Sequence, residues 1–412
     1  MISASVAWGQ DHEPPRSVAI IHGTVHLSTG EVLKDASVVT ENGRIRAIGQ
    51  GVSIADDAEV IDAGGAIVTA GPIAVNAPLG LVEVELEAST VHSEPQTDDP
   101  IRASFSAVDG YDPRSVTVPV ARVGGITTAV VTPTGGFIAG SGAVIDLYAP
   151  PGEEDVVRAV AGVHVNLTDA GVAAAGGAMP RALGRLREVL DDARAYGKNR
   201  AAYERRGLRP MDTGRLDLER LQDVLSGKVP LVVEVHRAVD IRRIIELAEA
   251  YRLRLVILGA AEGWLVADAL AKAKVPVFIQ PLTNLPALFD RLHGRYDNAR
   301  LLADAGVTVG FLVGGAHDAR VLMQQAGNAI AWGLDRHLAL AAITTVPAEA
   351  FGVGKDYGEI ALGKVANLVV WSGDPFEVTS YPTHVVIRGV SVPLESRQTA
   401  LFKRYRALPA HP

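Results

Sequence analysis

The stretch Pro230–Gln280, PLVVEVHRAVDIRRIIELAEAYRLRLVILGAAEGWLVADALAKAKVPVFIQ, reads as strand, helix, strand, helix, strand. Its apolar runs at 230–236, 254–259 and 275–280 are short and nearly continuous. That is the pattern of parallel strands buried on both faces. Between them, Asp240–Arg252 places Ile241, Ile244, Ile245, Leu247 and Ala248 at helical spacing, and Glu262–Lys274 behaves likewise. Working outward, similar apolar runs lie at 67–75, 127–132, 143–148, 163–167 and 307–313, and Asp318–Gly333 reads as another helix. Eight candidate strands within 67–352 predict an α/β chain built on a (β/α)8, TIM-like barrel. An open doubly wound sheet is the structural alternative, but no Gly-x-Gly-x-x-Gly follows the first strand.

The flanks read differently. Ser17–Gly49 alternates apolar and polar residues, with turn signals at Ser28-Thr29-Gly30 and Glu41-Asn42-Gly43. Gly358–Phe376 and Thr383–Val392 read the same way, so 17–66 and 353–396 are expected to pair into one small β-sandwich around the barrel. Residues 1–16 are then a flexible N-terminus and 397–412 a C-terminal tail. Two segments break the barrel rhythm. A loop-rich excursion spans 80–113, and loops of that length usually carry a role. The Arg- and Leu-rich stretch 180–228 reads as a long helix with a solvated charged face and a second short one.

The chain has 412 residues, 47 acidic against 39 basic side chains and a net charge of −8. This balance argues against nucleic acid or an anionic membrane surface as the main partner. The absence of cysteine excludes disulfides, thiolate metal sites and a cysteine nucleophile. No apolar run reaches the length of a membrane span. Ser5-Val6-Ala7 before Trp8 is similar to the small-x-small end of an export signal. That reading implies a periplasmic or secreted protein; an ordinary N-terminus implies a cytoplasmic one.

Two longer segments carry a family resemblance. Val60–Ile73, VIDAGGAIVTAGPI, resembles the entry of amidohydrolase-superfamily chains into their first barrel strand. Ile343–Phe376 resembles their exit, with Thr344-x-x-Pro347-Ala348 followed by Gly358-x-Ile360-x-x-Gly363-Lys364-x-Ala366-x-Leu368; Asn367 stands where an Asp is usual. Together they frame nearly the whole chain, and the imidazolonepropionase-like branch is the most similar. The resemblance implies zinc or a similar ion at the C-terminal ends of the strands. Its ligands would be a His-x-His pair, a Lys or Glu on the fourth strand, His on the fifth and sixth, and Asp on the eighth. The ion acidifies a bound water and the Asp accepts its proton.

Position by position, that set is mostly missing. The first-strand pair falls on Asn76 and Pro78, and the Asp before it on Ala74. Val163–Leu167 has neither Lys nor Glu. The fifth strand retains His236, with Glu234 as the alternative alignment. The sixth-strand His falls on Gly259 and the eighth-strand Asp on Gly315. The expectation is therefore a barrel mouth with no bound metal and no confident catalytic group.

Weak catalytic candidates remain in His236, Glu262 and His317, and barrel-mouth binding candidates in Asn76, Glu234 and Asp318. Each has a plainer alternative. His236 can be held by local hydrogen bonds, Glu262 can be an acidic residue at a helix start, and His317 or Asp318 can cap the helix that follows. The Gly-rich stretch Thr132–Val144 is either an anion cradle or a tight turn. No nucleophile elbow is present. Three functions fit. One is a catalytically degenerate amidohydrolase-like protein serving as structural or regulatory partner of an active homologue, within an oligomer. Another is a hydrolase of non-peptide C–N bonds with a rebuilt, metal-poor site. The third is a small-molecule binding protein using the barrel mouth.

Overall fold

The computed structural model describes residues 17–406 apart from 96, 98, 206, 208 and 212. The N-terminal stretch with the export-like triplet and the last six residues of the expected tail lie outside these. Among the described residues the strands form two sheets of eight. One holds β1 Val18–His26, β2 Val32–Glu41, β3 Arg44–Gly49, β4 Glu59–Asp62 and β5 Ile67–Ala70. The other holds β6 Ile73–Val75, β7 Thr128–Val131, β8 Ile138–Asp146, β9 Val156–Asn166, β10 Leu231–Val235, β11 Leu255–Gly259, β12 Val277–Ile279 and β13 Val309–Phe311. After it the chain returns to the first sheet with β14 Leu368–Trp371, β15 Pro382–Ile387 and β16 Val390–Val392.

The second sheet runs in chain order from β6 to β13. It is nearly closed: the Val313 N–H donates to the Val75 carbonyl at 3.0 Å, joining the last strand's end to the first. All eight apolar runs are strands, with two departures. The run 67–75 breaks at Gly71-Pro72, so β5 joins the terminal sheet and β6 the barrel. Gly71 has no room for a side chain, since a Cβ there would run into Thr127.

The second departure is direction. β8 runs antiparallel to both β7 and β9, while the other neighbours are parallel. Only residues 132–137 join β7 to β8. A parallel crossover needs roughly a dozen residues, so the chain must turn straight back. Gly135 (φ 73°) and Gly136 (φ 65°) make that turn in the left-handed region. The Gly-rich stretch is thus a turn followed by a strand. The Glu94 side chain lies against Gly135, so an acidic group fills the space above the turn where an anion would sit.

The barrel interior holds an apolar cluster. Val75, Val130, Val232, Val256, Leu258 and Phe278 pack there with Phe351 and Tyr357 from the segment that leaves the barrel. The rings of Phe278 and Phe351 lie 5.6 Å apart. The helix Met179–Lys198 buries Leu183, Leu186, Val189, Leu190 and Tyr196, so the Arg-rich stretch has an apolar inner face as well as a solvated one.

In the terminal sheet β14 pairs antiparallel with β5 and β15, and β5 pairs with β1. Strands from before and after the barrel are therefore hydrogen-bonded into one sheet. A buried polar knot ties this sheet to the barrel. The Asp146 carboxylate, fully buried at the end of β8, accepts from Thr128 (2.9 Å), Asn367 (3.0 Å), Tyr357 (2.8 Å) and Arg388 Nε (2.6 Å). Burial raises its pKa, against the pull of Arg388 and the other donors.

Candidate barrel-mouth site

Parallel strands send their C-terminal ends to one face, and side chains two apart on a strand share a side. Along β10, Val232 belongs to the inner core, so Glu234 and then His236 follow it on the inner side at the upper end. His236 is only 6% exposed. Its Nε2 lies 3.0 Å from Arg291 Nη2, on the loop after β12. A guanidinium can only donate, so Nε2 accepts and the ring proton sits on Nδ1, which has no partner. Burial first, and then the Arg291 charge, push the imidazole pKa down to about 4, against Asp290 and Glu262.

Gly259 explains the ring's position. Its φ is 88°, and a Cβ built there would lie 2.8 Å from His236 Nδ1. The imidazole thus occupies the space a side chain at the end of β11 would need. Glu234 is recessed among surrounding protein, although its side chain is 39% exposed. Its Oε1 lies 3.9 Å from His236 Nε2, and burial raises its pKa. Arg291 is anchored by its Nε, 3.0 Å from Asp290 Oδ1.

Glu262 does not cap its own helical turn. Its carboxylate accepts from the Ala238 N–H (3.0 Å), which opens the helix after β10, and from the His293 N–H (3.1 Å) and ring Nδ1 (3.0 Å). Desolvation works against its ionised form, but these hydrogen bonds outweigh it and lower the pKa. Glu262 therefore fixes the loop that carries Arg291.

Asn76, in the left-handed region at φ 61°, accepts from the Thr132 hydroxyl at 3.1 Å. Pro78 and Ala74 are buried. At the eighth strand, His317 Nε2 lies 3.1 Å from the Glu83 carbonyl, which ties the 80–113 excursion to the barrel. Asp318 stands at a cap position, but its side chain makes no capping bond. A Cβ on Gly315 would lie 3.0 Å from Glu85 Oε1 and 3.8 Å from Asp318 Oδ2. Two carboxylates therefore approach the end of this strand from outside it. The structure brings His236 and Glu234 together, and it sets His317 against Glu83 and Asp318 beside Gly315.

Sequence reading missed Arg291, Glu85 and His164. Arg291 and Glu85 lie on loops, where no periodicity marks a direction. His164 could have been found: alternation along β9 puts it on the inner side with Gly162. It is 6% exposed, its Nε2 is unpartnered, and burial lowers its pKa to about 4. Among the described residues no group of three or more His, Asp and Glu side chains is disposed to hold a metal ion. None of their helices is long and apolar enough to cross a membrane.

A nearly closed eight-strand barrel sheet, joined to a terminal sheet and bearing polar residues at its strand ends, is an α/β barrel scaffold that hosts many chemistries. The amidohydrolase family model matches residues 232–392. An amidohydrolase structure from Thermotoga maritima MSB8 superposes with a TM-score of 0.82 at 26% identity, covering 91% of this chain and 99% of that one. A prolidase complexed with N-methylphosphonate-L-proline shares the fold at a TM-score of 0.58 and 16% identity, over 91% of this chain and 99% of that one. The Amidohydrolase tasK of Hapsidospora irregularis is 22% identical over 393 residues, which is 88% of this chain. The chain spans only 40% of that relative's length. These findings support the amidohydrolase superfamily.

Proposed function

We propose that this protein is an amidohydrolase-superfamily member without the metal site, catalytically degenerate, and a structural or regulatory partner of an active homologue. The observation that carries the reading is the His236 imidazole lying over Gly259 with its Nε2 taken by Arg291. A zinc site needs three or four ligands converging on one point. Asn76, Pro78, Gly259 and Gly315 stand where four would be expected, and His236 with Glu234 supplies at most two. These residues do not fit the metal. Within this reading the barrel is TIM-like, 17–66 and 353–396 form a composite β-sandwich, and the chain falls in the imidazolonepropionase-like branch.

A second reading has one observation in its favour. Glu85 and Asp318 bring carboxylates to the end of the eighth strand, where a proton acceptor would be needed in a rebuilt hydrolase. Elemental analysis of protein purified without added metal, with a screen of amide and lactone hydrolysis, separates the two. The expected outcome is well under one equivalent of zinc and no hydrolysis. Near one equivalent after dialysis, with activity lost in His236→Ala, would overturn the proposal.

A further inference from the structure

We infer that Arg291 is the resident cation of this barrel mouth, a positioning residue that holds His236 as a hydrogen-bond acceptor and keeps a divalent metal away from it. This rests on the metal-free reading above and adds its cause. A metal needs a bare imidazole nitrogen. The only one His236 offers is Nε2, and Arg291 Nη2 already donates to it at 3.0 Å. The other nitrogen carries the proton and faces the backbone at Gly259. Arginine stays charged under all ordinary conditions, so this contact does not open by deprotonation.

The contact is also built to last. Arg291 and Asp290 are paired at 3.0 Å with side chains only 19% and 8% exposed. Two residues on, His293 is held by Glu262, which also grips the Ala238 N–H that opens the helix after β10. The loop is thus fastened to the fifth and sixth strand ends just after Arg291. Glu234, 3.9 Å from the same imidazole nitrogen, sits within the field of this guanidinium. A divalent ion would have to displace a fixed positive charge to reach either group.

The test is side-chain NMR of the full chain labelled with 15N-histidine, with the His236 signals assigned by loss in His236→Gln. The wild type should show the Nδ1–H tautomer, unchanged by one equivalent of zinc. Arg291→Gln should let zinc perturb the His236 signals with an affinity at least ten-fold above wild type, while Arg291→Lys, which keeps the charge, should stay closed. An Nε2–H tautomer in the wild type overturns the inference, and this readout stands even if a variant fails to fold. Equal zinc response in wild type and Arg291→Gln overturns the exclusion role. Zinc-dependent hydrolysis by the wild type would instead sink the functional reading, so the two failures are distinguishable.

Discussion

His164 shows what a barrel interior asks of a single residue. It pairs with Gly140 on β8 and Val232 on β10, and a Cβ on Gly142 would lie 2.6 Å from its Nε2. Gly142 of β8 leaves the space that the imidazole fills. With no partner for Nε2, protonation is penalised, and the folded-state pKa is about 4 against roughly 6.5 unfolded. As pH falls below about 6.5 the unfolded chain takes up a proton that the folded chain refuses, so stability is greatest above that pH and declines toward 4. The loss is ~2 kcal/mol between pH 7 and pH 5 for this one group. His164→Asn should flatten the pH dependence of the urea midpoint by that amount over the same interval. An unchanged slope would show that His164 finds its proton a partner. The inward placement of Glu234 and His236 could be read from sequence, because side chains two apart on a strand share a side. That Gly259 exists to seat His236 could not, because the contact crosses from one strand to the next.

At the scale of elements, the apolar runs marked every barrel strand, since a strand buried on both faces leaves no polar alternation to obscure it. Direction was invisible: an apolar run reads the same parallel or antiparallel, and only the short 132–137 connection reveals that β8 turns back. The departure at Asn367 has an equally local cause. Its Nδ2 donates to Asp146 Oδ1 and to the Thr128 hydroxyl, both at 3.0 Å, while its Oδ1 accepts from the Arg388 N–H at 2.8 Å. An Asp there would lose the donor and set a second carboxylate against a fully buried one. Asn367→Asp should therefore cost about 2–4 kcal/mol, as broken buried polar networks do. Pairing it with Asp146→Asn should recover part of that loss by restoring one donor and one acceptor between the two positions. Urea denaturation of the three variants checks this, and a single variant within about 0.5 kcal/mol of wild type, the range of ordinary surface changes, would count against the knot as a structural clamp.

At the scale of the whole molecule, the question is whether barrel and terminal sheet are one cooperative unit. Composition could not say, because both contain similar apolar residues and only the pairing of distant segments joins them. Three connections argue for one unit. Val369, Trp371, Val385 and Ile387 of the terminal sheet belong to the same buried cluster as Leu186, Val233 and Ile244 of the barrel layer. Phe351 and Tyr357, on the way out of the barrel, pack with its inner residues. The Asp146 knot draws on β7, β8 and the segment after the barrel together. Residues this interlocked lose their contacts together, since opening either sheet exposes the core of the other. Scanning calorimetry of the full chain should therefore show one endotherm, and Asn367→Asp should move all of it to lower temperature. Two separable transitions, with only one responding to Asn367→Asp, would mean that the terminal sheet folds as an independent unit.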